Sequence, residues 1–192
     1  MGVRSGSNPR FGDAFGALLA AAQAGAPWAW DRLYGYLAPA VAGYLRLQGA
    51  RDADDLTSEV FIGVYRGISS FSGSEAQFRS WVFVIAHRRV QDARRHAARV
   101  PELLASAALE DLPRAAGDVE ADVEGELGRQ RVFALCACLA PDQRDVLLLR
   151  VVADLTVEQV AETLGKSPGA VKALQRRGLE GIRRMLRQGV TL

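Results

Sequence analysis

Between residues 28 and about 99, apolar side chains recur at intervals of three and four with few breakers, the period of amphipathic helices. In the stretch AWDRLYGYLAPAVAGYLRLQG, Trp30, Leu33, Leu37, Val41, Tyr44 and Leu45 share one broad face. Pro39 is expected to bend or interrupt that helix, and Gly49 to end it. A second helix begins in ARDADDLTSEVFIGVYRGI. Advancing about 100° per residue puts Leu56, Val60, Phe61, Val64, Tyr65 and Ile68 on one side, and Asp52, Asp55, Glu59, Ile62 and Arg66 on the other. A Gly/Ser loop over residues 69–77 leads into a third helix that buries Phe78, Trp81, Val82 and Ile85. Its far side carries Ser80, Phe83, Val84, His87, Gln91, Arg94 and Arg95.

Beyond residue 99 the pattern changes. Residues 100–126 mix Ala, acids, Pro101, Pro113 and Gly117 without a sustained apolar stripe, which reads as a linker. A second helical unit starts at residue 127, punctuated by Pro141 and by a break at residues 165–168. No β-alternating run of useful length occurs. The pattern therefore predicts an all-α chain of two small helical domains, 27–99 and 127–192, joined by a flexible acidic linker. A mobile N-terminal segment, 1–26, precedes them, with room for a short amphipathic helix near residues 11–23.

The break lies within TVEQVAETLGKSPGAVKALQRR, residues 156–177. Val157, Val160, Ala161 and Leu164 recur at three and four, Gly165 suits a helix C′ position, Ser167 is a good N-cap, and Pro168 is well placed at N1. Val171 and Leu174 are then expected to turn inward against Val160 and Leu164. That is the helix-turn-helix pattern, and an ordinary helical hairpin with a solvated basic face is its plainer alternative. Lys172, Arg176 and, nearer the edge, Arg177 face away from the apolar anchors, while Ser167, Pro168 and Gly169 sit at the N-terminus of the second helix.

Composition adds little until it is mapped along the chain. Net charge is only +2, yet residues 79–99 hold six arginines against Asp92, and from residue 166 onward seven bases stand against Glu180. Residues 101–126 between them hold eight acids and one base, Arg114. Two basic segments thus flank an acidic one. Cys136 and Cys138 are the only cysteines, and on a helix their side chains diverge by about 200°, poor geometry for a disulfide. With both histidines far away in sequence, neither a metal site nor a cofactor is expected. No apolar run reaches the roughly 18 residues of a membrane span, and the N-terminus lacks a signal-peptide core, so a soluble cytoplasmic protein is expected.

Ile62 is an apolar side chain amid Asp55, Glu59 and Arg66 on an exposed face. It reads equally as a lone surface isoleucine or as the centre of a helix-docking patch with a polar rim. On the third helix, Phe83 beside arginines suits single-stranded nucleic acid, where bases stack and phosphates pair with cations; packing on a neighbouring helix is the equal alternative. His87 has a plain reading too, as a surface histidine. The carboxylates of DADD have no matching cluster elsewhere, and no nucleophile or phosphate loop is present, so no catalytic residue is expected.

Taken together, three motifs resemble a bacterial sigma factor of the extracytoplasmic-function (ECF) group of the sigma-70 family. DADDLTSEVFIGVYRGISSF resembles region 2.2, FRSWVFVIAHRRVQDARR regions 2.3 and 2.4, and the stretch LAPDQRDVLLLRVVADLTVEQVAETLGKSPGAVKALQRRGLEGIRR region 4. They cover nearly all of residues 27–187, in the family's order. The resemblance implies that Asp52, Asp55, Glu59, Ile62 and Arg66 dock on the β′ clamp helices of core RNA polymerase, whose β flap is a further contact. It implies that Ser72, Ser74, Arg79, Ser80, Phe83, His87, Arg88, Gln91, Arg94 and Arg95 hold the melted −10 strand. Lys166, Ser167, Pro168, Gly169, Lys172, Arg176 and Arg177 would meet the −35 duplex. The implied partners are core polymerase and promoter DNA, duplex and single-stranded, with no membrane insertion. Since the chain ends soon after region 4, control is expected from a separate anti-sigma factor. Gln91, Arg88 and Tyr65 depart from the usual residues, and Gly178 stands inside what should be helix, leaving the C-terminal extent of that helix open. The rival reading is a stand-alone helix-turn-helix regulator, which leaves the Ile62 face and residues 69–95 without work.

Overall fold

A computed structural model describes residues 10–99 and 123–188 of the chain. Those residues form α1 (Phe15–Gln23), α2 (Pro27–Leu47), α3 (Ala53–Gly67), α4 (Glu75–Arg99), α5 (Val123–Ala137), α6 (Pro141–Val151), α7 (Val157–Leu164) and α8 (Pro168–Arg187). Among the described residues there is no strand. The expected linker falls outside them up to residue 122, and the chain is already helical from Val123.

The first unit is built on α2, α3 and α4, which pack mutually around Leu33, Leu37, Val41, Leu45, Val60, Val64, Phe78 and Val82. Its N-terminal part differs from expectation. Residues 1–9 lie outside the described set, but residues 10–26 are built into the fold rather than mobile. Phe15, Leu18, Leu19 and Ala22 of α1 are buried against α2, as apolar spacing of three and four requires. Glu75, the first residue of α4, accepts the backbone N–H groups of Arg10 (2.8 Å), Phe11 (3.0 Å) and Gly12 (3.1 Å). Gln23 Nε2 donates to the carbonyls of Ile68 and Phe71, so α1 is pinned at both ends to the α3–α4 junction.

α2 runs unbroken through Pro39. The proline removes one N–H from the ladder, and its i−4 neighbour is Gly35; both are exposed, so the freed carbonyl meets water. At the α3–α4 junction Phe71 stacks on Trp81 at 5.1 Å and meets Phe78 edge-on at 5.2 Å. Gly67 lies so close to Trp81 that a Cβ there would come within 2.8 Å of the ring. This aromatic cluster fixes the short exposed loop at residues 72–74 against the start of α4.

In the second unit α6, α7 and α8 surround Val146, Leu149, Leu155, Val160 and Val171. α8 continues through Gly178 to Arg187. A Cβ at Gly178 would lie 2.7 Å from Leu147 Cδ1, so the glycine is what lets α8 lie flush on α6. The two units touch: α5 and α6 lean on α2, α7 leans on α4, and one apolar cluster runs through both.

Candidate nucleic-acid interface

The turn between α7 and α8 is capped on both sides. Thr156 accepts the Gln159 N–H (3.2 Å) and Gln159 Oε1 accepts the Thr156 N–H (2.8 Å), a reciprocal capping box that starts α7. Gly165 closes it at φ 61°, ψ 34°, with the Lys166 N–H on the Ala161 carbonyl at 2.9 Å. Ser167 then accepts the Ala170 N–H at 3.2 Å and Pro168 occupies the first turn of α8. Val171 and Leu174 are buried with Val160 and Ala161, as the spacing predicts. Ser167, Pro168, Gly169, Lys172, Arg176 and Arg177 are all exposed, presenting the N-terminal half of α8 outward. Lys166 is half-buried and pairs with Asp142 of α6 at 2.9 Å, while Arg176 faces Glu180 one turn on at 3.6 Å. The net effect is a capped helix N-terminus, whose dipole attracts phosphate, at the head of a cationic face.

On α3 the expected patch exists and is larger than the sequence suggests. Ile62 is 49% exposed and Tyr65, three residues on, is 64% exposed. Trp28 and Tyr34 of α2 are exposed as well, and Trp30 and Tyr34 touch Tyr65 and Phe61 with ring centroids 5.0 and 4.7 Å apart. Asp52, Asp55, Glu59 and Arg66 are exposed, and Glu59 pairs with Arg89 of α4 at 3.5 Å. An apolar centre within a charged rim is the anatomy of a protein-docking surface. Tyr65 corrects the expectation that it shares the buried side of α3 with Val60 and Val64, and Trp28 and Tyr34 were missed because only the buried face of α2 was read from the sequence.

The far side of α4 is divided. Ser72, Ser74, Arg88 and Arg95 are exposed, with Arg95 bonded to Asp92, and Ser80 is half-buried. Phe83, by contrast, is fully buried: it meets Tyr44 edge-on at 5.6 Å, with the Arg79 guanidinium 5.4 Å from its centroid. It therefore packs on a neighbouring helix instead of stacking a base. His87 is likewise no surface histidine. Its Nδ1 lies 2.9 Å from the Tyr44 hydroxyl, which in turn accepts from Gln48 Nε2 at 3.1 Å. The Tyr44 hydroxyl and His87 Nδ1 share one hydrogen bond whose direction follows the imidazole tautomer. Burial first, and Arg94 nearby, push the His87 pKa below its ordinary 6.5 against the opposing pull of Asp145. Burial also raises the Tyr44 phenol.

Arg79, Gln91 and Arg94 are engaged by the second unit. Arg79 donates to the carbonyls of Val152 (3.1 Å) and Ala153. Gln91 Nε2 reaches Asp145 at 3.4 Å, and Arg94 lies 3.9 Å from the same carboxylate. Asp145, only 6% exposed, also accepts Gln48 Nε2 at 2.7 Å. The signal for it was present: one acid directly before the apolar run VLLL on the buried face of α6. Cys136 is buried, which raises its thiol pKa, and Cys138 is exposed; both are free. Among the described residues no cluster of His, Cys, Asp and Glu could hold a metal.

Residues 33–100 match Sigma-70 region 2 and residues 129–180 match Sigma-70, region 4. The chain is 32% identical over 182 residues to ECF RNA polymerase sigma factor ShbA of Streptomyces griseus subsp. griseus, covering 90% of this chain and 95% of that protein. Over 171 residues it is 31% identical to ECF RNA polymerase sigma factor BldN of Streptomyces coelicolor; the match takes in 88% of this chain but 64% of BldN. Among solved structures, sigma factor RpoE, in complex with the anti-sigma factor NepR from Bartonella quintana, shares the fold with a TM-score of 0.64 at 18% identity. That superposition covers 85% of this chain and 98% of RpoE.

Proposed function

The chain belongs to the ECF group of the sigma-70 family, and on that premise we propose that it binds core RNA polymerase and directs it to specific promoters. The observation that carries this reading is the coexistence of two exposed surfaces suited to different partners. One is the capped cationic N-terminal half of α8, fit for duplex DNA at a −35 element. The other is the Ile62–Tyr65 patch on α3, an apolar centre in a charged rim where Asp52, Asp55 and Glu59 outnumber Arg66, which suits a protein helix better than phosphate and is proposed to meet the polymerase β′ clamp helices. A stand-alone regulator would have no use for the second.

Between the two surfaces, the loop at 72–74 and the arginines of α4 are proposed to hold the melted −10 strand. There Arg88 and Arg95 are positioned for phosphates, and Ser72 and Ser74 for a base turned out of the stack. Phe83 and His87 contribute by supporting α4 from beneath, not by touching DNA. The chain itself performs no covalent chemistry in this reading; the polymerase does. Its place of action is the cytoplasm with the polymerase, and a separate anti-sigma factor is its proposed regulator. No helix among the described residues is long and apolar enough to cross a membrane.

Ile62→Asp tests the docking surface. The side chain is exposed, so the fold and its circular dichroism should persist while co-elution with purified core polymerase is lost. A variant that still co-elutes like the unaltered chain removes this face from the polymerase interface.

A further inference from the structure

The exposed loop at residues 72–74, proposed to receive a melted −10 base, is held at both stems by α1 and the turn that precedes it, which lie far from it in sequence. On the entry side Gln23, the last residue of α1, donates its Nε2 to the carbonyls of Ile68 (2.8 Å) and Phe71 (2.9 Å). On the exit side Glu75, only 8% exposed, takes the N–H groups of Arg10, Phe11 and Gly12, a short turn ahead of α1. Phe11 is right-handed there (φ −104°, ψ −24°) and Gly12 left-handed (φ 53°), a pairing that turns successive N–H groups toward one point and forms an anion-binding nest. The anion in that nest is the chain's own Glu75 carboxylate. Beneath the loop, Phe15 of α1 meets Phe78 at 5.7 Å, inside the aromatic cluster that Phe71 and Trp81 complete. Phe11 adds an edge-on contact with Tyr36 of α2 at 5.2 Å, which ties the nest to the body of the unit.

We infer that α1 is a brace for the −10 loop, with Gln23 and Glu75 as positioning residues that set how strictly a base is read. The inference rests on the reading of residues 72–74 as the base-receiving loop, and adds what holds that loop in register. A base turned out of the stack is recognised by hydrogen bonds whose geometry tolerates little drift. A loop fixed in advance therefore discriminates better than one that must be ordered on binding. Ser74 and Gln77 cap α4 reciprocally, at 3.3 and 2.8 Å, which sets where the helix starts but not how far that start lies from Phe71. The α1 helix sets that distance: its nine residues make a rod about 13 Å long with one end on each stem. The charge on Glu75 matters at the exit. Three N–H donors on one carboxylate make stronger bonds than on a neutral amide, which would also turn its own N–H groups toward them.

The test pairs amide hydrogen exchange with run-off transcription, on the full chain and on its Gln23→Ala and Glu75→Gln variants. Gln23 is exposed, so its variant keeps the fold even if Glu75→Gln does not. In both, the amides of residues 69–77 should exchange roughly tenfold faster while those of α6 and α8 keep their rates. Transcription uses purified core polymerase on promoters whose starts depend on the chain, and on copies altered one base at a time. Both variants should start at the same sites but lose roughly tenfold in discrimination against altered −10 bases, with discrimination at the −35 element unchanged. A stability defect alone would lower every start equally. Unchanged exchange at residues 69–77, or faster exchange spread evenly over α6 and α8, overturns the brace. Faster exchange with full −10 discrimination overturns the positioning role. An unaltered chain that yields no start contradicts the proposed function and takes the base-reading role with it. The exchange result, which needs neither polymerase nor promoter, still decides the brace.

Discussion

His87 shows how a single residue changes meaning between sequence and structure. Read on a helical wheel it belongs to a basic outer face; in the fold that face is where α2 and the second unit close, so its ring is drawn into a hydrogen-bond chain with Tyr44 and Gln48. Burial holds it neutral with a pKa below 6.5. The unfolded chain takes up a proton near 6.5 that the folded chain resists. The His87 contribution to stability is therefore complete above about pH 6.5 and falls as pH drops below it, until the folded ring itself protonates. NMR of the imidazole should give a midpoint below 6.5, and the urea midpoint of unfolding should decrease between pH 7.5 and 5.5. A ring titrating above 6.5 would contradict the buried placement. Phe83 makes the same point without charge. On the helical wheel it shares a face with His87, Arg94 and Arg95, whereas in space its ring meets Tyr44 and the Arg79 guanidinium, and no one-dimensional pattern distinguishes the two.

At the scale of elements, the helix-turn-helix was legible almost residue by residue because its determinants are local. Caps, a C′ glycine and an N1 proline act within one turn of themselves. Gly165 is the most exacting of them: at φ 61° with open space around it, Gly165→Ala meets no neighbour, only backbone strain. That substitution should destabilise the chain by about 1 kcal/mol, read as a lower urea midpoint at unchanged slope; no change would mean the turn relaxes freely. Elements whose fate depends on distant partners were less legible. Residues 1–26 read as a mobile segment with room for a short amphipathic helix, because nothing nearby in sequence explains why α1 is buried. The three N–H groups held by Glu75 come from more than sixty residues away in sequence. Pro39 and Gly178 looked like breaks for the same reason. Solvent beside Gly35 forgives the first, and Leu147 on another helix demands the second.

For the whole molecule, the near-neutral net charge hides two cationic segments, and the fold puts them to unequal use. The α8 cations are largely exposed, whereas Arg79 and Arg94 of α4 are turned into the contact between units. The sequence indicated two helical units and their surfaces; their closure on one another was invisible, because it depends on Asp145 meeting groups from α2 and α4 across the chain. What unites the surfaces is the claim that polymerase and promoter are bound by one polypeptide. Run-off transcription with purified core polymerase, on a pool of promoter fragments and with the chain added or omitted, tests that claim most directly. The account predicts discrete new start sites that depend on the chain and disappear with Ile62→Asp. Contradiction would be a chain that binds duplex DNA alone, fails to co-elute with core polymerase and yields no new start.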